Sequence, residues 1–327
     1  MGKLHISSTP HIHQKGSSTR NIMLDVTIAM LPAALAGIVI FGLKALWVIL
    51  TCVASAVIAE ALFNLCARKK QTVGDFSAVV TGLLLGLNLS INVPLWQCAV
   101  GSVFAIVVVK GLFGGIGKNI VNPAIAARVF MLLTFASVGG AVAVAPLFDL
   151  SFLGNAVAAP ELIASATPLA ALNQGAEIAA TDAPSVLQLL VGVHGGTIGE
   201  TCGIALIIGF IYLVARKVIK WYVPASFVAT VFVCYFIFGG FDVTFALQHV
   251  LAGGLLLGAI FMATDYVTTP NTKWGRVIFC VGAGLLTFAI RQYSSFPEGV
   301  SIAILTMNLL TPFISDWTKK KTLGGVK

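Results

Sequence analysis

Residues 22–66 read IMLDVTIAMLPAALAGIVIFGLKALWVILTCVASAVIAEALFNLC, and in that whole run only Asp25, Lys44 and Glu60 carry charge. A helix crossing a bilayer needs roughly 20 mostly apolar residues. The run holds two such helices, 22–42 and 45–66, with Lys44 between them. The rest of the chain repeats the pattern. Of 327 residues, 58% are hydrophobic and 10% charged, and mean hydropathy is +0.97, where an ordinary soluble domain is about 45–50% apolar and about 25% charged. This composition excludes a soluble two-domain enzyme, a secreted disulfide scaffold and a disordered tail protein.

Working outward, further apolar stretches fall at 75–91, 95–112, 124–146, 200–216, 221–239, 246–263, 276–291 and 298–315. With the first two they predict an all-α integral membrane protein of about ten transmembrane helices. The third, fourth and eighth are short or interrupted by glycine, as expected of helices packed inside a bundle or broken at membrane depth. The expected organisation is a cytoplasmic arm 1–21, a five-helix half 22–146, an external loop 147–199, a second five-helix half 200–315 and a cytoplasmic tail 316–327. Gly82-Leu83-Leu84-Leu85-Gly86 recurs as Gly254-Leu255-Leu256-Leu257-Gly258, which suggests two repeats. Five crossings in each would invert one relative to the other.

Basic residues gather in cytoplasmic loops. With the N-terminus inside, 18 of the 20 Lys and Arg fall on the cytoplasmic side, Lys110 and Arg128 among them, and only Lys44 and Arg291 fall outside. Both termini are thus expected in the cytoplasm. The same bias accounts for a net charge of +8 without nucleic acid. The six cysteines are scattered singly in apolar runs, with no C-x-x-C spacing, and read as small buried hydrophobes. The polar first 20 residues are followed by no small-residue cleavage site, so no removable signal peptide is expected. Connections as long as 147–199 are uncommon unless they serve a function, and this one carries Asp149, Glu161, Glu177 and Asp182 but no Lys or Arg.

Within it, Glu161-Leu-Ile-Ala-Ser165-Ala166-Thr167-Pro168-Leu169-Ala170 is the most pointed segment. Thr167 followed by Pro168 reads as a helix N-cap with proline at the first helical position. A helix start also favours phosphate, so an exposed hydroxyl here suits a phosphorylated cofactor. The segment resembles the flavin-attachment motif D-x-x-S-G-A-T of the RnfD/NqrB family, membrane subunits of the Rnf ferredoxin:NAD oxidoreductase complex and of the Na⁺-translocating NADH:quinone reductase. In that family FMN is held by a phosphoester to the threonine hydroxyl, here Thr167, preceded by Ala166. Glu161, Ala164 and Ser165 depart from the motif's Asp, Ser and Gly. Glu161 keeps the carboxylate and Ser165 is small.

The resemblance runs along nearly the whole chain. It includes Gly74-Asp75-Phe76-Ser77-Ala78 through Asn88, Phe113-Gly114-Gly115-Ile116-Gly117-Lys118-Asn119 with Asn122-Pro123-Ala124, and Gly195-Gly196-Thr197-Ile198-Gly199-Glu200-Thr201. Met262-Ala263-Thr264-Asp265 through Arg276 and Pro297-Glu298-Gly299-Val300 through Asn308 complete it. It implies covalent FMN on Thr167, noncovalent riboflavin in the bundle, and cofactor contacts at Ser165, Ala166, Asn119, Asn122, Thr197, Glu200 and Asp265. It also implies partner subunits bearing iron–sulfur clusters, further flavin and the NAD site, and a flavin transferase during maturation. About 20 residues precede the first expected helix, whereas NqrB usually has a longer extension, which favours the RnfD branch. The implied activity is electron relay between reduced ferredoxin and NAD, coupled to Na⁺ or H⁺ translocation across a bacterial cytoplasmic membrane. The chain has no dinucleotide-binding fingerprint and no cluster ligands, so it is not expected to catalyse alone. A secondary transporter without redox function is the rival from another class.

Residue chemistry qualifies these implications. Gly111 to Lys118 lacks the G-x-x-x-x-G-K-[ST] order of a nucleotide-binding loop, leaving close packing and flavin contact as its two readings. Asp75, Glu200, Asp265, Glu298 and Asp316 lie at expected helix ends, where capping or solvation explains most carboxylates. Glu60 lies within an expected crossing, where an ionisable group is costly and marks a functional suspect. It is a candidate for a cation pathway, or else reaches the headgroups. His194 and His249 are isolated and read as packed or surface residues, and His11 and His13 lie in an arm able to touch a partner.

Overall fold

The computed structural model describes residues 18–135, 185–192, 194–294 and 298–319, with Leu169 and Leu172. Thr167, Ser165, Ala166 and Glu161 lie outside the described residues. Among the described residues there are helices and turns and no strand.

The first stretch folds as two long helices, α1 (Thr19–Phe41) and α2 (Leu43–Cys66), joined at Gly42. Gly42 has φ 74°, a left-handed conformation that glycine adopts without steric cost. Ser18 caps α1 by accepting from Asn21 N–H. Next come α3 (Ser77–Leu87), α4 (Leu95–Gly111) and α5 (Pro123–Thr134). Then follow a short helix α6 (Val186–Val191), α7 (Gly203–Ala215) and α8 (Tyr222–Phe238). The last four are α9 (Val243–Leu251), α10 (Leu255–Met262), α11 (Lys273–Tyr293) and α12 (Val300–Trp317). Each expected crossing overlaps at least one helix among the described residues, 246–263 overlapping two and 124–146 lying outside the described residues beyond 135, and the helix lengths differ. Helices α1, α2, α11 and α12 are long and apolar enough to cross a membrane, and the bent pair α9–α10 makes a fifth span if counted as one. At 1.5 Å per residue, α3 is only about 16 Å long and α5 about 18 Å, short of a hydrocarbon core of about 30 Å.

The expected crossing 246–263 is interrupted as its glycines suggested. Helices α9 and α10 meet at an angle of 67°, and Gly253 between them has φ 71°. The two Gly-Leu-Leu-Leu-Gly runs sit in different settings. Gly82 and Gly86 face α2, where a Cβ on Gly82 would lie 2.7 Å from Val53 Cα. Gly254 instead caps the start of α10. Such glycines let helix backbones approach closely where lipid gives no hydrophobic drive between helices. The halves meet where α1 packs on α7 and α5 on α12.

Three charge assignments change. Lys110, Arg128 and Arg291 are buried inside the bundle, so none of them is a loop charge available to the positive-inside bias. Glu60 does not reach the headgroups either; it is buried and paired with Lys110. The end of the long connection is not an outlying loop. Ile198 and Gly199 donate backbone hydrogen bonds to the Leu89 and Leu87 carbonyls around the C-terminal end of α3, at 3.0 and 2.8 Å. The surface is broadly apolar, with Leu31, Leu35, Leu62, Ile211, Ile237 and Phe313 among many exposed large side chains. A water-facing monomer does not tolerate patches of that extent, whereas a lipid-facing one requires them.

Candidate functional site

The described residues hold two buried polar centres at opposite ends of the bundle. The first is a cavity of about 790 Å³, open mouth included, at the end where α1 begins and α7 and α10 finish. Its walls come from Ile22 and Val26 of α1, Val80 and Leu84 of α3, Leu213 of α7 and Phe261 of α10. Its polar side carries Ser77, Lys110, Asn119, Asn122 and Asp265.

Local chemistry explains how these residues arrive there. Gly114, Gly115 and Gly117 have φ of 109°, 98° and 86°, so the loop after α4 turns through conformations that residues with a Cβ seldom adopt. That turn brings Asn119 to Asn122 back against the bundle. Asn119 Nδ2 donates to Val121 O at 3.0 Å, and Asn122 Oδ1 accepts from Ala124 N–H at 3.0 Å, capping α5 with Pro123 at its first position. The Asn308 amide links Asn122 N–H to Thr268 O at 3.2 Å each, tying this loop to α12. Past α10, Asp265 accepts from Val267 N–H at 3.1 Å and Thr268 Oγ1 at 3.2 Å. Burial pushes its carboxyl above the usual range, and the two donors oppose that shift. Asp75 accepts from Ser77 N–H at 2.8 Å, the same turn ahead of α3.

The second centre holds the break between α9 and α10. A broken helix exposes carbonyls at one cut end and N–H groups at the other, with dipole charges of matching sign. Arg291 donates to His249 O at 2.7 Å and Ala252 O at 3.1 Å, putting a cation on the negative end. Glu298 Oε1 accepts from Gly254 N–H at 2.8 Å, putting an anion on the positive end. Arg128 Nη2 lies 3.4 Å from Glu298 Oε2. Buried Glu200 joins them, folded back so that Oε1 accepts from Thr197 N–H at 3.1 Å.

The expected cofactor residues therefore divide. Asn119, Asn122 and Asp265 are brought together at the cavity, whereas Thr197 and Glu200 belong to the second centre and do not line it. Residue-type reasoning misses Lys110, Arg128 and Arg291. Each reads as a flanking charge, since Lys110 and Arg291 lie close to helix ends where the sequence carries no sign of burial. Leu169 and Leu172 are helical and buried, packed with Leu189, Leu251 and Ala252, and Leu169 reaches the neighbourhood of Gly253 beside Arg291. His194 and His249 are buried, as packed residues. Cys52, Cys98 and Cys280 are buried too, but Cys66 is exposed. Among the described residues no group of three His, Cys, Asp or Glu side chains is placed to hold a metal.

Residues 5–324 match the NQR2, RnfD, RnfE family. The chain belongs to that family. The D subunit of a Na⁺-translocating ferredoxin:NAD⁺ oxidoreductase complex from Acetobacterium woodii is 42% identical, covering 99% of this chain and 96% of the relative. The D subunit of a proton-translocating ferredoxin:NAD⁺ oxidoreductase complex from Clostridium ljungdahlii is 38% identical, covering 98% and 96%. The D subunit of an ion-translocating oxidoreductase complex from Stutzerimonas stutzeri is 34% identical, covering 94% and 93%. The resemblance read from the sequence is thus family membership, and these relatives are named as D subunits of redox complexes that differ in the ion moved.

Proposed function

We propose that this chain is the flavin-carrying D subunit of an Rnf-type complex, relaying electrons between reduced ferredoxin and NAD and helping to couple that flow to Na⁺ or H⁺ translocation. The observation that carries the reading is the cavity at the N-terminal end of the bundle. Apolar walls with a few convergent polar groups are the usual lining of small-molecule sites, and this cavity has both. The lining suits a riboflavin: the aliphatic and Phe261 walls would hold its ring, and Asn119, Asn122 and Lys110 would supply hydrogen-bonding groups. Bound there, a flavin supplies one- and two-electron transfer, while the protein supplies position and electrostatics.

The second flavin, FMN esterified to Thr167, is proposed at the opposite end. Leu169 is two residues from Thr167, and two residues of chain span at most about 7 Å. Leu169 packs beside Gly253, and the centre there holds Arg128 and Arg291, cations suited to a phosphate, which supports the reading. We place both termini in the cytoplasm, ten crossings in a bacterial cytoplasmic membrane, and 147–199 on the external side. Exposed Trp47, Trp96 and Tyr293 at one end of alternating helices, and Trp221, Trp274 and Trp317 at the other, support two interfacial belts. The remaining Rnf subunits and a flavin transferase are the proposed partners.

Denaturing electrophoresis under ultraviolet light tests the proposal. Co-expressed with a flavin transferase, the native chain gives a fluorescent band, and Thr167→Val gives none. A band persisting in Thr167→Val moves the attachment elsewhere, and a dark native chain favours a transporter without a redox cofactor.

A further inference from the structure

Asp25 stands in the second turn of α1, flanked by Met23 and Val26, which line the cavity. Its side chain is 14% exposed and takes three hydrogen bonds from the end of α7. Tyr212 Oη donates to Oδ1 at 2.9 Å, Arg216 Nε to Oδ1 at 3.3 Å and Arg216 Nη2 to Oδ2 at 3.3 Å. A guanidinium is a planar fork that matches the two oxygens of a carboxylate, and the phenol adds a third bond from one turn earlier. The Lys110–Glu60 pair stays within the first half of the chain, and Arg128–Glu298 lies at the α9–α10 break. Among the described residues, Asp25–Arg216 is therefore the ion pair that ties the two halves beside the cavity.

Backbone geometry gives this grip a consequence. Helices α1 and α7 touch backbone to backbone at Ala29 and Gly209, where an added Cβ would lie 2.3 Å from Ala29 O and 3.0 Å from the Phe261 ring. Phe261 is a wall of the cavity, so this contact marks the cavity's inner edge. Asp25 is one turn from Ala29, and Tyr212 and Arg216 are one and two turns from Gly209, so the helices run antiparallel from the contact toward the grip. Val26 lines the cavity on one side of this stretch and Leu213 on the other. Lys217, with φ 58°, then folds the chain back. Val218 N–H donates to Leu213 O at 2.9 Å, and Val218 and Ile219 turn inward to continue the lining. Two helix ends that touch at a glycine and are gripped further out form a jaw. With the grip released they part by pivoting on the glycine contact, as hinged elements do.

We propose that Asp25 is a positioning residue for the occupant of the cavity: its grip on Tyr212 and Arg216 holds α1 and α7 closed and sets how fast that occupant leaves. The inference rests on the reading that a noncovalent flavin occupies the cavity. Asp25 is not among the lining residues, so it acts through the walls beside it and not by touching the flavin. The Arg216 side chain is 57% exposed, so ionic strength weakens the grip by screening it.

The test uses the purified complex and follows exchange of its noncovalent flavin for excess tritium-labelled riboflavin, at a rate set by release. Asp25→Asn keeps the shape and an acceptor for Tyr212 but loses the charge that holds the fork, and exchange is expected to be about tenfold faster. Arg216→Gln behaves alike, and Asp25→Asn/Arg216→Gln is no faster than either single variant, because both break one interaction. Raising salt to about 1 M speeds exchange in the native complex and leaves Asp25→Asn unchanged. A second readout needs no flavin. A cysteine in place of Leu213, which is buried in the closed jaw, reacts with a water-soluble maleimide faster when Asp25→Asn is added, read by mass spectrometry of its peptide. Either rate unchanged by Asp25→Asn, or a double variant whose effect is the product of the singles, overturns the inference. Val80→Trp separates this failure from that of the underlying reading: a complex that assembles and still holds its noncovalent flavin with the cavity filled refutes the cavity as the flavin site. Flavin lost in Val80→Trp but exchanged at the native rate in Asp25→Asn refutes the grip alone.

Discussion

Replacing Glu298 by glutamine isolates what the buried charges at the α9–α10 break contribute. The amide keeps an acceptor for Gly254 N–H and nearly the same volume, so the loss is the ion pair with Arg128. That pair is buried, with side-chain exposures of 8% and 14%, so surface screening does not erase it. At 3.4 Å and an effective dielectric of about 20, the Coulomb attraction is about 5 kcal/mol. Removing one partner of a buried pair leaves the other charge uncompensated, at a cost of roughly 3–5 kcal/mol. Glu200 is within electrostatic reach of Arg128, which pulls the expected loss toward the lower end, about 3 kcal/mol, or over a hundredfold in the folding equilibrium. Reversible unfolding in bicelles or mixed micelles measures it. Arg128→Met/Glu298→Gln removes both charges and recovers most of the loss, because neither partner is left as an uncompensated buried charge. A Glu298→Gln variant within about 1 kcal/mol of native, or a double variant whose loss is the sum of the two singles, refutes the reasoning.

Three further outcomes are expected. Gly82→Val drives a side chain into the α2 backbone at Val53 and abolishes accumulation of the chain, whereas Gly74→Ala, with nothing within 4 Å of the added methyl, accumulates as native in membrane fractions. Asn122→Ala removes the α5 cap, for a loss of about 1 kcal/mol, and lowers the ratio of noncovalent flavin to protein, read after acid extraction. Leu169→Asp puts a charge among Leu189, Leu251 and Ala252 and exposes the chain between α5 and α6 to limited proteolysis, with cleavage rates compared against the native complex.

Helix positions were legible because a bilayer imposes one demand, about 20 apolar residues for each full crossing, and hydropathy reports it directly. Runs such as 22–42 and 276–291 coincide with α1 and α11 to within a few residues. Glycine likewise signalled the break in 246–263. The candidate site was legible in part. Asn119, Asn122 and Asp265 stood out through family landmarks, and they do meet at one cavity. Thr197 and Glu200, drawn from the same kind of landmark, go to the other end, because a motif states which residues matter and not which wall they occupy.

Sequence by itself determined that this chain is a helical membrane protein of the NQR2, RnfD, RnfE family, since apolar run length and motif order are properties of the linear chain. Tertiary structure alone decided that Lys110 and Arg128 are interior charges, because whether a basic residue near a helix end meets water or a carboxylate depends on what the neighbouring helices bring. Glu60 is 50 positions from Lys110 and Glu298 is 170 from Arg128; no local pattern encodes such pairings, and only the packed bundle gives each buried charge its partner.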